Sequence, residues 1–135
     1  MINLSKCQLY DGKELGNNLI LWEREGGQGY DIIYCGSYSF GSCIGGIYVL
    51  PTSENQYSMQ VIDVKFDKRR IIAITKNTEN NKLSYWIIDK KFNLMNVNCW
   101  KVNCDSIIKS HVFGPFNYIN FKKKCDELGI KLKFN

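Results

Sequence analysis

The chain has 135 residues, the length of one ordinary domain, and at this size about two-thirds of the unfolded surface can be buried. Its apolar fraction of 44% and charged fraction of 23% are typical of a globular protein and exclude a disordered one. The net charge is +5, and the basic residues are dispersed along the chain. No apolar run reaches the roughly 18 residues that a membrane-spanning helix needs. We predict a single domain, residues 1–135, with no membrane partner.

The N-terminal segment bears on the compartment. Residues 1–16 hold polar and charged groups where a secretory signal would need an apolar core, which predicts a cytoplasmic protein. A leader removed before residue 1 is the alternative. Cysteines stay reduced in a cytosol and pack as small apolar side chains, so we predict free thiols, although Cys99 and Cys104 are close enough for a bridge. The chain contains Cys7, Cys35, Cys43, Cys99, Cys104 and Cys125.

Strand patterns dominate the first two-thirds of the chain. Residues 19–22 and 30–35 are predicted strands on either side of a turn that contains three glycines. A loop of small residues, 36–43, precedes a further strand that ends at Pro51. From residue 60 to residue 89 three strands alternate with short polar turns. Such turns leave no room for crossover helices, so this region predicts an antiparallel meander.

The C-terminal end predicts a helix and a last strand. Asn117 is a favourable N-cap and Gly129 a favourable stop. Between them the apolar residues recur on one helical face: Tyr118, Phe121, Cys125 and Leu128. Residues 130–134 alternate as a short final strand. The predicted fold is α+β, mainly β: an antiparallel sheet of about six to eight strands, curved or sandwich-like, with one C-terminal amphipathic helix packed on it.

The sequence carries no catalytic, cofactor or metal signature. His111 is the only histidine, which excludes most metal sites and catalytic triads. Residues 41–46 are rich in glycine, but they lack the lysine of a phosphate-binding loop and lead into a strand. We therefore predict no catalytic residue, no cofactor and no metal. A small enzyme remains the alternative, either with Cys104 and His111 as a nucleophilic pair or with carboxylate chemistry.

Five segments carry a resemblance to a known family. They are residues 66–73, residues 85–89 (Tyr-Trp-Ile-Ile-Asp), Gly114-Pro115-Phe116, Phe121 and residues 127–130 (Glu-Leu-Gly-Ile). Over residues 60–132 the chain resembles an uncharacterised family of small bacterial proteins, many of them lipoproteins. In that family a Tyr-Trp-Ile-Ile-Asp-like strand is followed closely by Gly-Pro-Leu and by a helix ending in Glu-Leu-Gly-Ile. The resemblance implies this order of strand, turn and helix, and it implies no established activity.

The chain departs from that family between Asp89 and Gly114, where it carries about twenty additional residues. Within this stretch, residues 97–102 are a candidate strand and residues 105–109 a candidate helical turn. An apolar and aromatic insertion on a small sheet is a candidate interaction loop. The alternative is that it adds a strand pair to the sheet. The predicted partner-binding residues are Phe92, Trp100, Lys101, His111, Tyr38 and Phe40.

The absence of a reactive constellation, together with abundant aromatics, favours a non-catalytic protein-binding domain. The most concrete version is a cytoplasmic bacterial immunity protein that neutralises a cognate toxin by masking its surface. A net charge of +5 favours an acidic or neutral face on that partner. A nucleic-acid-binding domain is a further alternative, based on the basic charge and on candidate stacking aromatics.

Overall fold

A computed structural model describes residues 12–36, 38–39, 42–43 and 46–134. The strands of these residues are β1 Gly12–Gly16, β2 Leu19–Glu23, β3 Tyr30–Tyr34, β4 Tyr38–Ser39, β5 Ser42–Cys43, β6 Ile47–Leu50, β7 Met59–Phe66, β8 Arg70–Asn77, β9 Leu83–Asp89 and β10 Val112–Phe116. The helices are α1 Cys104–Lys109 and α2 Tyr118–Leu128, with short 3-10 turns at Glu25–Gly27 and Ser53–Asn55.

An eight-stranded sheet organises the molecule. Its order is β10-β9-β8-β7-β3-β2-β1, and β6 also pairs with β3. Neighbouring strands are antiparallel throughout, and β4 and β5 form a separate two-stranded hairpin. The predicted mainly β fold with an antiparallel sheet and one C-terminal helix is confirmed. The predicted meander corresponds to β7, β8 and β9.

The sheet is apolar on both faces at its centre. Ile71 and Ile88 belong to a large core on one face, whereas Ile72 and Ile87 pack on the other face against α2. This division follows from the two-residue period of a strand, which sends successive side chains to opposite faces. A run of consecutive buried residues in β8 therefore marks a central strand with cover on both sides.

A buried lysine links the two ends of the sheet. Lys90, which directly follows β9, donates from Nζ to the Leu15 carbonyl of β1 at 2.6 Å, and Asn17 Nδ2 donates to the Lys90 carbonyl at 2.6 Å. Burial lowers the pKa of Lys90, and the Asp67 carboxylate opposes that effect. Because β1 lies at one end of the described strand order and β9 lies near the other, these bonds show that the sheet is strongly curved. Curvature brings Leu15 into the same core as residues of β8 and β9.

Helix α2 forms as the sequence predicts. The Asn117 side chain accepts a hydrogen bond from the Asn120 amide at 2.8 Å, and Gly129 ends the helix with a left-handed φ of 69°. Phe121 and Cys125 are buried against the sheet. These contacts hold the helix across the face that carries Ile72.

The predicted final strand is wrong. Residues 130–134 form no strand, although their alternating apolar side chains pack against the α2 cluster. The Phe134 ring lies 6.0 Å from that of Phe121 and 6.3 Å from that of Tyr85. The place beside β9 is occupied by β10, so the segment buries its apolar side without joining the ladder.

The additional stretch before β10 forms no strand pair. The candidate strand over residues 97–102 is wrong, because the chain there folds into turns around Asn98. The Asn98 carbonyl accepts from the amides of Lys101 and Val102 at 3.0 and 2.9 Å. The helical turn expected over residues 105–109 is confirmed as α1.

The prediction of free thiols is wrong for four cysteines. Cys35 is bridged to Cys43 and Cys99 to Cys104, with Cα–Cα distances of 5.9 and 5.4 Å that suit a disulfide. Cys125 is free and buried, and Cys7 lies outside the described residues. Among the residues that the structure describes, no helix is long and apolar enough to cross a membrane.

Candidate functional site

The Cys99–Cys104 bridge closes a short loop at the surface, residues 98–104, which we call the bridged loop. Its first residue, Asn98, accepts from the Trp100 amide through its side chain at 3.0 Å. Its far end joins α1, where the Asn103 side chain caps the helix by accepting from the Ser106 amide at 3.0 Å. A covalent closure with hydrogen bonds at both ends reduces the number of conformations open to the loop.

Trp100 projects from this loop into solvent. Its relative exposure is 99%, and its side chain makes no hydrogen bond or ring contact with any described residue. The neighbouring Val102 is also exposed. A shallow depression of about 500 Å³ beside the loop is lined by Ile47 and Asp105 as well as by the loop itself. The loop therefore presents the exposed side chain of Trp100 on a partly apolar surface.

Two of the predicted partner-binding residues share this surface. Trp100 and Lys101 are adjacent and exposed on the bridged loop. Tyr38 lies in β4, where its side chain is not described, and Phe40 lies outside the described residues. The structure therefore describes no side-chain contact that bears on the prediction for Tyr38 and Phe40.

Phe92 is a core residue, so its burial gives no support to its prediction as a partner contact. Only 8% of it is exposed, and its ring lies 5.9 Å from that of Tyr34 and 5.1 Å from that of His111. His111 is half-buried, with Nδ1 2.8 Å from the Ile107 carbonyl, to which a protonated Nδ1 donates. Both side chains thus tie the start of the additional stretch to α1 from inside the molecule.

The thiols of the described residues do not provide an accessible nucleophile. Cys104 is bridged and holds no thiolate in that state, so it cannot pair with His111 as a nucleophile. Burial raises the pKa of Cys125, which keeps that thiol protonated. Within the described ranges, no group of three His, Cys, Asp or Glu side chains is placed to hold a metal ion.

A second surface feature is a groove that sequence patterns did not reveal. It has a volume of about 670 Å³ and lies where β2, β3, β6 and β7 meet the loop before β7. We call it the polar groove and define it by Trp22, Arg24, Glu25, Gln28, Asp31, Tyr48, Gln56, Tyr57, Gln60 and Thr78. Its residues come from four separate segments of the chain. In the sequence these residues show a polar or aromatic character, but no regular spacing connects them.

One buried ion pair organises the floor of the groove. Arg24 Nη2 lies 2.6 Å from Asp31 Oδ1, and Nε donates to the same oxygen at 3.0 Å. The same Nη2 donates to the carbonyls of Gln56 and Met59 at 2.7 and 2.8 Å. One side chain thereby joins β3 to the loop that precedes β7.

Loss of the bridge in the bridged loop is expected to lower stability measurably. For a loop this short, the chain-entropy model gives a loss of about 2 kcal/mol in the free energy of unfolding for Cys99→Ser. Urea denaturation of the oxidised proteins measures it. In reductant the difference between wild type and variant should vanish, because both then lack the bridge and both lose the Cys35–Cys43 bridge. An equal difference with and without reductant would show that the bridge is not its source.

Comparison with protein-family models, with curated proteins and with solved structures finds no match to this chain. The resemblance over residues 60–132 therefore stays a prediction.

Proposed function

We propose that this is a non-catalytic protein-binding domain whose contact surface is centred on Trp100. In its most concrete form the protein neutralises a bacterial toxin by masking the toxin's surface, as an immunity protein does. The observation that carries the proposal is the nearly complete exposure of Trp100 on a loop closed by a disulfide.

Tryptophan is among the residues that contribute most to protein interfaces when it enters a pocket on the partner. The bridged loop adds pre-organisation. Association costs free energy when a flexible loop must be ordered, and a loop already closed by Cys99–Cys104 avoids most of that cost. Exposed Val102, which lines the same depression as Trp100, extends the apolar contact beside the indole.

Charge indicates the chemistry of the partner's face. The protein carries a net charge of +5, and Lys101 is exposed directly beside Trp100. A basic rim around an aromatic anchor complements an acidic or neutral surface and speeds association with it. We therefore propose a partner with a pocket for the indole and acidic groups at its margin.

The two bridges change the proposed compartment. Disulfides persist in oxidising environments and are rare in a reducing cytosol. Because Cys35–Cys43 and Cys99–Cys104 are both formed, we propose that the protein acts in the periplasm or outside the cell instead of the cytoplasm. The toxin that it masks would then be met in the same compartment.

Nucleic-acid binding is the second candidate. Arg70 Nη1 donates to the Leu128 carbonyl at 3.3 Å, so the basic turn at residues 68–70 lies beside the lysine-bearing helix α2. However, Lys124 is 3.2 Å from Glu127 on that helix, and such acidic groups weaken the positive potential. This candidate predicts an affinity for nucleic acid that falls steeply with salt, and a flat response would remove it.

The test uses the product of the gene immediately upstream. We expect that product to be toxic alone and harmless when this protein is co-expressed in the same compartment. Trp100→Ala should weaken their binding by about 2–4 kcal/mol, roughly 30- to 1000-fold, and should abolish protection. Tyr57→Ala, which removes another exposed aromatic side chain away from the bridged loop, is the control.

Binding and protection unchanged by Trp100→Ala would contradict the proposed contact surface. A neighbouring product that neither binds nor is toxic would contradict the immunity function.

A further inference from the structure

The polar groove is a built feature of the fold and is not part of the bridged loop. Its walls are held by hydrogen bonds between segments distant in sequence. Gln56 Nε2 donates to the Tyr48 hydroxyl at 2.7 Å, and Thr78 Oγ1 donates to the Tyr57 carbonyl at 3.0 Å. The Arg24 amide donates to the Gly29 carbonyl at 2.9 Å and closes the turn on the opposite wall. The groove is therefore formed before any ligand arrives.

Gly29 shows how closely this turn approaches its neighbour. It has a left-handed φ of +96°, and the side chain of Gln60 occupies the position where a Cβ on residue 29 would lie. Only glycine permits both the backbone conformation and the contact. Gln60 is thereby set against the wall of the groove.

The groove presents hydrogen-bonding groups that the protein itself does not use. The side chains of Glu25, Gln28 and Gln60 make no hydrogen bond with any described residue, and neither does the indole N–H of Trp22. An amide side chain both donates and accepts, whereas a carboxylate only accepts. The unpaired groups in the groove therefore include both hydrogen-bond donors and hydrogen-bond acceptors. This combination suits a ligand whose own groups also donate and accept.

Three aromatic side chains complete the lining: Trp22, Tyr48 and Tyr57. Tyr57 is 86% exposed, while Trp22 and Tyr48 are half-buried. Aromatic rings have flat apolar faces, and these three lie among the polar groups of the lining. A pyranose ring has the complementary character, because it carries apolar C–H faces and a rim of hydroxyl groups that donate and accept.

The charges at the groove disfavour an anionic ligand. The one cationic side chain in the lining, Arg24, is already bonded to the Asp31 carboxylate and to two carbonyls. Glu25 carries a negative charge with no ion-pair partner among the described residues. Phosphate and nucleic acid require unpaired Arg or Lys at such a site.

Sheet topology disfavours an extended peptide. Strands β2 and β3 each pair with a strand on both sides, and β7 pairs with β8 along its length and with β3 at Val61, so these three strands leave little main chain at the groove for a further strand to pair with. Main-chain pairing at an open edge is the usual source of affinity for extended peptides. The volume of about 670 Å³ lies within the roughly 300–1,000 Å³ of small-ligand sites.

We propose that the polar groove is a binding site for a neutral oligosaccharide. Sugar rings pack on the aromatic side chains, and their hydroxyls bond to Gln28, Gln60 and Glu25. This site is independent of the proposed protein-binding surface at Trp100.

The test is isothermal titration of the full chain with cellotetraose, maltotetraose and tri-N-acetylchitotriose at low and high salt. A heparin tetrasaccharide and a short oligothymidylate serve as anionic comparators. We expect at least one neutral sugar to bind with an affinity that salt leaves unchanged. Tyr57→Ala and Gln28→Ala should each weaken it about tenfold or more, since each removes an exposed group from the groove. Trp100→Ala should leave it unchanged.

Failure of all three neutral sugars to bind at millimolar concentration would overturn the proposal. So would binding confined to the anionic comparators, or sugar binding that Tyr57→Ala and Gln28→Ala leave intact. Because Trp100→Ala separates the two surfaces, a negative result here leaves the protein-binding proposal standing, and loss of that proposal leaves this one standing.

Discussion

Arg24→Met is expected to lower the free energy of unfolding by about 3–5 kcal/mol, because it strands a buried carboxylate. The side chain of Asp31 is 4% exposed and accepts two bonds from the guanidinium, whose Nη2 also donates to the carbonyl of Gln56 in the loop before β7 and to that of Met59, the first residue of β7. Without Arg24 these acceptors lie in a poorly solvated site with no donor. Urea denaturation at neutral pH measures the loss.

The double variant Arg24→Met/Asp31→Leu should recover part of that stability, since it removes the stranded charge. Lys109→Met is the matched control, because it breaks the Lys109–Glu54 ion pair, in which both side chains are exposed and 3.4 Å apart. Exposed pairs of this kind contribute about 0–1 kcal/mol. Equal losses for Arg24→Met and Lys109→Met would contradict the structural role given to the buried pair.

Phe121→Ala is expected to lower the free energy of unfolding by a similar amount, about 3–5 kcal/mol, the range for deleting a buried aromatic ring. Phe121 is buried between α2 and the sheet, with its ring 5.2 Å from that of Tyr85 and 6.0 Å from that of Phe134. Its removal leaves a cavity at the centre of the contact that holds the helix. Thermal or urea denaturation gives the magnitude.

Ile119→Ala provides the comparison on the same helix. Ile119 is 65% exposed, two positions from Phe121, and its truncation should change stability by less than about 0.5 kcal/mol. If both variants lost the same amount, packing of α2 on the sheet would not be the source of the effect.

The sheet and α2 were predictable because their signals are local. Successive residues such as Ile71 and Ile72 are both apolar, which marks a strand covered on both faces. Asn117 and Gly129 fix the ends of α2 through cap chemistry that depends only on nearby residues. Residues 130–134 show the limit of such signals. Their alternation correctly indicates one buried side, but it cannot tell whether a ladder position is free.

The surface features depend on contacts between distant segments. Trp100 could be identified as a candidate because it lies in an additional aromatic stretch, but Phe92 lies in the same stretch and is buried. Composition cannot separate an aromatic anchor from an aromatic core residue. The polar groove combines Trp22, Tyr48 and Tyr57, which come together only through strand order. Bridge formation likewise depends on Cα separations that the sequence does not specify.

Hydrogen–deuterium exchange with and without the upstream gene product directly tests the proposal that the partner binds at the bridged loop. Exchange reports which amides become protected when a partner covers them. We expect new protection in the bridged loop, residues 98–104, and at the start of α1, with α2 unchanged. Protection confined to α2 or to the polar groove, with the bridged loop exchanging as in the free protein, would contradict it.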